Sequence, residues 1–510
     1  MSNLTSHLVI EQMQQPEFYP HPVKETIELI QTHASYVFLT GDYAYKVKKA
    51  VDFGFFDYST IEKRQHFCQE EVRMNQQLAP EIYLEVLPIT QSGTQLSLGD
   101  NGEPIEYAIK MRQFPQEMLW SQRFEKGELT LKIMEELGRV VAQFHLNAPT
   151  NEYISSFGEI AKIEAAFDEN YRQSEPYIGI VQTQQQFEET KQFTEYFFDR
   201  EKELFAYRRR KGWIRECHGD LHLRNICSWQ DKIRLFDRIE FNEEFRFVDV
   251  MYDVAFTVMD LEARGRVDLG NAFLNAYIEQ TGDWEGLQVL PLYLSRQAYV
   301  RAKVASFLLD DSDIPQEEKQ QAHQTAANYY RLAWEYTRSR QGKLIVMSGL
   351  SGSGKTTVAR ELARQLGAIH LRSDAVRKHL AGIELQETGG NEIYTPQMSE
   401  KTYNRLLELG KMLVSRGFPT ILDAKYDRAP LRKPIIEWCQ SQDYPLQILH
   451  CTAPIEVLRD RVRQRTGDIS DATPDLILHQ QAAAEPLNAT ERIYATTLDT
   501  TQDWQSQLDI

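Results

Sequence analysis

The stretch Gly349-Leu350-Ser351-Gly352-Ser353-Gly354-Lys355-Thr356-Thr357 decides how the second half of the chain is read. It follows a short apolar run, Leu344-Ile345-Val346-Met347, and opens a helical pattern from Val358 to Leu366. Strand, glycine-rich turn and helix form the context in which a G-x-x-x-x-G-K-[ST] match has physical content. The glycines let backbone N–H groups curl around phosphate oxygens, and the helix N-terminus adds partial positive charge. In that motif Lys355 reaches the β/γ-phosphates, and the Thr356 hydroxyl is placed for Mg²⁺. The expected nucleotide cradle is therefore Gly349 to Thr357, with ATP and Mg²⁺ as the implied ligands.

Working outward, the strand Ala368 to Arg372 ends at Ser373-Asp374, with Arg377 close behind. A carboxylate at the carboxyl end of a parallel strand lies at the crevice where such sheets bind ligands. Asp374 there is a candidate to take a proton from an acceptor hydroxyl, and Arg377 a candidate to clamp an anionic part of the substrate. Ser373 or Asp374 also fits a helix N-cap, and the two readings are compatible. The strand Thr420-Ile421-Leu422 ends at Asp423, the position expected to hold Mg²⁺. The helix from Ile455 carries Arg459, Arg461, Arg463 and Arg465. Arg461 and Arg465, four apart, would share a face; a solvated basic face is one reading, and resemblance to P-loop small-molecule kinases implies the other, a catalytic pair that stabilises transferring charge.

Length and composition bound the remainder. A chain of 510 residues exceeds one ordinary domain. Its 42% apolar and 26% charged residues are those of a globular protein. A formal net charge of -17 argues against a general nucleic-acid or anionic-membrane binder. No run of about 20 apolar residues and no basic-then-apolar leader is present, so neither a membrane span nor an export signal is expected. Five scattered cysteines without C-x-x-C fit a reduced cytoplasm and disfavour a disulfide frame or zinc site.

In the first half, residues 1 to about 33 read as a helical lead-in interrupted by Pro16, Pro20 and Pro22. The runs 35–40 and 43–48, split by Gly41-Asp42, predict a hairpin that puts Lys46 and Lys48 on one face. A helix follows from Ile61 to Leu78, containing Glu70 and Glu71; further strands run from 82 to 89 and from 105 to 114. Helical patterns cover 129–145, 159–171 and 183–211. Then comes Cys217-His218-Gly219-Asp220-Leu221-His222-Leu223-Arg224-Asn225-Ile226, a short β run, and Asp237. An aspartate, an asparagine five residues on, and a second aspartate after a strand form the layout of kinase catalytic and metal-binding loops.

HGDLHLRN followed by LFDRIEF resembles the aminoglycoside phosphotransferase and choline kinase branch of the kinase-like superfamily. It is similar in particular to a group that pairs this domain with a P-loop kinase domain. The resemblance implies a two-lobed fold over roughly residues 30 to 335. It makes Asp220 the catalytic base and Asn225 and Asp237 the metal ligands. Lys46, chosen over Lys48, would contact the α/β-phosphates, and Glu71, chosen over Glu70, would pair with it. Asp249 and Asp253 match a downstream segment that anchors the loop. A typical protein-kinase glycine-rich loop is absent before Lys46, where Gly41 stands alone.

The expected fold class is thus an α+β two-lobed kinase-like domain, 1–339, followed by an α/β P-loop domain with a parallel sheet flanked by helices, 340–510. The second domain resembles gluconate kinase, zeta-toxin-like and polynucleotide 5′-kinase domains of the P-loop class. The function this implies is ATP-dependent phosphoryl transfer to hydroxyls of small molecules at two sites. A first half serving as scaffold or sensor for an ATP-binding second half, or a second half acting on a nucleic-acid 5′-hydroxyl, are the alternatives.

Overall fold

The computed structural model describes residues 3–23, 26–54, 56–99, 102–312 and 314–508. The chain forms two compact units. One comprises residues 1–129, 147–168 and 198–260; the other comprises 130–146, 169–197 and 261–510.

The first unit is built on a six-stranded antiparallel sheet in the order β1-β2-β3-β6-β4-β5. Its strands are β1 (Glu28–Gln31), β2 (Ser35–Leu39), β3 (Tyr43–Lys48), β4 (Tyr83–Ser92), β5 (Gln95–Leu98) and β6 (Glu103–Arg112). The β2–β3 hairpin turns at Gly41, and Thr40 N–H closes it on Tyr43 O at 2.9 Å. Alternation along β3 sends Tyr45 and Val47 into a core with Phe38, Ile89 and Ala108. The helix α1 (Asn3–Met13) covers that side through Val9 and Met13. The opposite face takes helix α2 (Ile61–Asn75), whose Cys68 and Val72 pack against Ile82, Tyr83 and Ile109. Thr60 caps α2 by accepting from Lys63 N–H at 3.3 Å.

The lead-in departs from its expectation. It is α-helical only to Met13, a single 3-10 turn follows at Pro16–Phe18, and Leu29-Ile30 pair with β2 as strand β1; residues 1, 2, 24 and 25 lie outside the described residues. Two apolar residues are too short a run to announce a strand, and the ladder with β2 supplies what local propensity lacks. The pattern 183–211 likewise divides into helices Gln184–Arg200 and Lys202–Arg210. Downstream in the first unit lie β7 (Ile214–Glu216), β8 (Ile226–Trp229), β9 (Lys232–Leu235), β10 (Phe247–Asp249) and helix α3 (Val250–Ala263). The β8–β9 hairpin delivers Asp237 two residues past its end.

The second unit carries a five-stranded parallel sheet in the order β12-β13-β11-β14-β15. Ahead of it comes helix α4 (Val267–Thr281). The alternating elements are then β11 (Leu344–Ser348), α5 (Lys355–Leu366), β12 (Ile369–Arg372), α6 (Ser373–Ala381), α7 (Pro396–Ser415), β13 (Thr420–Asp423), α8 (Ala429–Gln442), β14 (Leu446–Thr452), α9 (Ile455–Gln464) and β15 (Ala495–Asp499). Near-continuous apolar strands such as Leu344-Ile345-Val346-Met347, buried at every position, are what a sheet covered on both faces demands. Helix α5 packs Val358, Ala359 and Leu362 on Ile345, Met347, Leu449 and Leu498. The structure has the α+β first part and the α/β second part with a helix-flanked parallel sheet that the sequence predicts.

Candidate active sites

In the first unit five acidic and basic side chains come together: Lys46 and Lys48 from the hairpin, Glu71 from α2, and Asp237 and Glu240 from beyond β9. Lys46 Nζ donates to Glu71 Oε1 at 2.8 Å and to Asp237 Oδ1 at 2.7 Å. Lys48, one pleat along the same face, donates to the second Glu71 oxygen at 2.7 Å and to Glu240. Glu240 also accepts from Tyr58 Oη at 2.5 Å. Glu71 is fully buried. Burial alone would raise its carboxyl, but the two ammonium groups outweigh that and hold it at about 2. Burial opposes the charge on Lys46, yet Asp237 and Glu71 keep its ammonium well above the usual range. Glu70 instead pairs with Arg73 on the surface.

The catalytic-type loop is held from behind. Asp253 accepts from His218 N–H at 2.7 Å and Gly219 N–H at 2.8 Å, while Asp260 accepts from Leu223 N–H at 3.1 Å. Asp249 is clamped by the buried Arg208, with Nη2–Oδ1 at 2.7 Å. Gly219 sits at φ +85°, where a side chain would put Cβ 2.6 Å from Phe245 O, so only glycine fits. His218 Nε2 lies 2.9 Å from Phe236 O; a carbonyl only accepts, so the proton is on Nε2. Burial lowers this imidazole to about 4, and it is neutral.

At the front of the loop, Asn225 Nδ2 donates to Asp220 Oδ2 and to Asp220 O, both at 3.0 Å. That leaves Asn225 Oδ1 as its atom for a cation. His222 Nδ1 accepts from Arg224 N–H at 3.2 Å, so Nε2 carries the proton and faces Asp220 Oδ2 at 3.4 Å. Asp237 stands at φ +61° with its side chain 46% exposed. A half-open carboxylate and an amide oxygen form an oxygen donor set of the kind Mg²⁺ takes. Lys46, Glu71, Asp220, Asn225 and Asp237 thus come from separate elements of one unit. Sequence reasoning passed over Lys48 as a partner of Glu71, and over Glu240 and His222. His222 lies inside the HGDLHLRN motif and Glu240 inside LFDRIEF, but neither motif marks them for these contacts.

In the second unit the phosphate loop links β11 to α5. Gly354, left-handed at φ +84°, ends the loop, so the helix begins at Lys355 rather than Val358. Gly349 N–H donates to Lys425 O at 2.9 Å, and Ser351 N–H to Gln480 Oε1 at 3.1 Å. Lys355 curls back over the loop, with Nζ 2.8 Å from Leu350 O and 3.5 Å from Ser353 Oγ. Burial lowers its ammonium, and Asp423 opposes that lowering. Thr356 is half-buried at the start of α5, and Thr357 is exposed. A cleft of about 590 Å³ opens beside the loop, lined by Gly349, Leu350 and Ser353 with Asp427, Arg432 and His450.

Asp423 ends β13 directly beside β11, in register with Met347 and Arg372. Its Oδ2 is 3.0 Å from His370 Nε2. Burial would raise this carboxyl, but the hydrogen bond and charge of His370, with Lys355 and Arg372, bring it to about 2. Asp423 and the Thr356 hydroxyl are again hard oxygen donors suited to Mg²⁺. Asp374 lies in the first turn of α6 and is not its cap: Arg372 occupies the N-cap position and no side chain caps the helix. Burial raises the Asp374 carboxyl, and Arg372 opposes this. Arg377 is buried and donates to Ile393 O at 2.9 Å.

Arg461 donates to Thr500 Oγ1 at 2.8 Å and Thr500 O at 2.9 Å, with Gly352 O at 3.4 Å. It ties the phosphate loop to the end of β15. Arg465 does not share its helix face: α9 stops at Gln464, and Arg465 is extended. It still lies near enough to the loop to push the Lys355 ammonium down. Among the described residues, no helix is long and apolar enough to cross a membrane.

Residues 344–487 match the family model of the AAA domain. With the strand, glycine loop and helix just described, this part of the chain is a P-loop nucleotide-binding domain. The chain as a whole is 28% identical over 462 residues to an uncharacterised protein of Mycobacterium tuberculosis, a match covering 89% of this chain and 90% of that protein. The adenylyl-sulfate kinase of Halothermothrix orenii is 29% identical over 151 residues, covering 27% of this chain and 73% of that enzyme. A solved choline/ethanolamine kinase family protein from Mesorhizobium loti is 9% identical, with a TM-score of 0.38, and covers 65% of this chain and 99% of that one.

Proposed function

We propose that the chain is an ATP-dependent phosphotransferase with two centres, each moving the γ-phosphoryl group of ATP to a hydroxyl of a small molecule. The observation that carries the reading is the bridging of Glu71 and Asp237 by Lys46, in the unit where Asn225 holds Asp220. A lysine fixed by a helix carboxylate and aimed at a metal-type aspartate is the arrangement phosphoryl transfer uses to place phosphates. A protein that merely scaffolds has no chemical need of it.

In the first centre, Asp220 orients the acceptor hydroxyl and receives its proton as the O–P bond forms. Asn225 and His222 hold the carboxylate in place for that step. Lys46 stabilises the α/β-phosphates, with Glu71 fixing its position. Asp237 and Asn225 would hold Mg²⁺, which when bound neutralises phosphate charge. In the second centre the Gly349 to Thr357 cradle and Lys355 bind the phosphates, and Thr356 and Asp423 would hold the ion. Asp374 serves the acceptor hydroxyl, Arg377 the acceptor's anionic part, and Arg461 and Arg465 stand at the rim of the loop. Burial that raises Asp374 suits a general base, because a carboxylate working near neutrality needs a lifted pKa.

In chain order we assign 1–339 to the kinase-like domain and 340–510 to the P-loop domain. The likeness of the second part to an adenylyl-sulfate kinase supports a small, anionic acceptor there. All five cysteines are free thiols and buried, which supports a reduced, cytoplasmic setting.

The test is ADP release by the full chain over a panel of sugars, amino alcohols, nucleosides, aminoglycosides and 5′-hydroxyl oligonucleotides. Wild type is compared with Asp220→Ala and Lys355→Ala. Two centres predict one acceptor whose turnover is lost only in Asp220→Ala and another lost only in Lys355→Ala. Turnover that Asp220→Ala never alters and Lys355→Ala always abolishes would reduce the first half to a scaffold or sensor.

A further inference from the structure

The edge of the parallel sheet is closed by side chains. In a strand, successive backbone N–H groups point to opposite sides, so an edge strand leaves every second one unpaired. Ile369 N–H of β12 turns inward and donates to Pro419 O at 2.8 Å. Ala368 O and His370 N–H turn outward, where the sheet has no further strand among the described residues. Helix α4, in the same compact unit, fills that place. Asn275 accepts from His370 N–H through Oδ1 at 2.8 Å and donates through Nδ2 to Ala368 O at 3.0 Å. Asn271 Nδ2 adds a second donor to Ala368 O at 2.9 Å, and its Oδ1 accepts from Asn275 Nδ2 at 3.0 Å. One carboxamide thus satisfies both the donor and the acceptor of a backbone unit, as a neighbouring strand would.

The residue fixed in this way is not a bystander. His370 reaches across to Asp423, with Nε2 3.0 Å from Oδ2 and both side chains buried. With its backbone N–H pinned by Asn275 and its ring hydrogen-bonded to Asp423, His370 has one placement, and so has the carboxylate.

We infer that Asn275 of α4 and His370 of β12 are positioning residues that orient Asp423 for the metal ion of the phosphate-loop site. The inference rests on the reading of Asp423 as a residue that holds Mg²⁺. It makes a helix that lies 74 residues before Gly349, measured from Asn275, part of the nucleotide site's working structure.

The test separates metal binding from nucleotide binding. An Asp237→Asn background of the full chain leaves the phosphate loop as the remaining Mg²⁺-dependent nucleotide site. A fluorescent ATP analogue is titrated with Mg²⁺, and its affinity in excess EDTA is measured alongside. Leucine is the replacement of choice for Asn275, because a polar cavity of about 60 Å³ adjoins it and alanine would let water take over the hydrogen bonds. Asn275→Leu and His370→Ala should each raise the half-saturating Mg²⁺ concentration about tenfold, the effect of one lost hydrogen bond. Binding in EDTA should not change. The two together should add little, since they break one chain of contacts. His370→Gln, which restores a donor near Asp423, should recover most of the loss.

Should Asn275→Leu fail to fold, Asn275→Asp keeps the acceptor and drops the donor, and should give a smaller shift of the same sign. An unchanged Mg²⁺ dependence in these variants, with Asp423→Asn raising it strongly, overturns the inference. Equal weakening with and without Mg²⁺ also overturns it, because that is loss of structure alone. If Asp423→Asn itself leaves the Mg²⁺ dependence unchanged, the reading of Asp423 fails first, and the inference with it.

Discussion

Lys48→Met is the most informative single change in the first unit. Lys48 is 2% exposed and lies between the fully buried Glu71, at 2.7 Å, and Glu240. Among the described residues, removing its ammonium leaves the Glu71 carboxylate with Lys46 and the Glu240 carboxylate with the Tyr58 hydroxyl. Breaking a buried pair by deleting one partner costs about 3–5 kcal/mol, most of it from the carboxylate left uncompensated. Replacing both partners of such a pair with apolar groups is often close to neutral. Lys48→Met/Glu240→Leu should therefore recover most of the loss. The assay is native-state hydrogen exchange of peptides covering 61–75, the helix that carries Glu71. At about 1.4 kcal/mol per decade, the single variant should exchange roughly 150- to 4,000-fold faster there, and the double variant within about tenfold of wild type. A single variant that exchanges like wild type would mean Lys48 does not hold Glu71. A double variant as fast as the single would mean that lost packing, not stranded charge, is the cost.

His218 sets an acid limit on the first unit. Its folded value of about 4 lies below its ordinary 6.5, so the unfolded chain binds the proton first. The stabilisation is fully present above pH 6.5 and is lost as pH falls toward 4, by about 3 kcal/mol. The urea midpoint followed through this window should fall with pH in wild type and much less in His218→Gln; equal slopes would refute the assignment. Gly352→Ala places a Cβ 2.5 Å from Leu458 O at φ +79°, so the phosphate loop must shift. Binding of a fluorescent ATP analogue at that loop should weaken at least tenfold, while the turnover lost in Asp220→Ala persists. Retained affinity would show that the loop adapts.

The residue clusters of both candidate sites were legible because their main residues sit in contiguous motifs with fixed spacing. In the phosphate loop and in HGDLHLRN, local chain geometry alone sets neighbours. The fold class followed from those motifs and from hydrophobic pattern. What stayed hidden was built by distance in sequence. His370 and Asn275 are 95 residues apart, and Lys48 and Glu240 are 192 apart. No periodicity connects such pairs. Alternation puts Lys46 and Lys48 on one face, and Lys46 is chosen over Lys48 as the partner of Glu71; in the structure Glu71 pairs with both, while Asp237 goes to Lys46 and Glu240 to Lys48. The shared face expected for two arginines is cut short at a helix end. Arg461 and Arg465 share a face only if the helix continues, and α9 ends at Gln464.

That the chain holds two separate nucleotide sites is tested most simply by counting them. The full chain is titrated by calorimetry with a slowly hydrolysed ATP analogue at saturating Mg²⁺. Two sites are expected on wild type, one on Asp237→Asn, one on Lys355→Met and none on the double variant. A single site on wild type, unaffected by Asp237→Asn and abolished by Lys355→Met, would contradict that expectation.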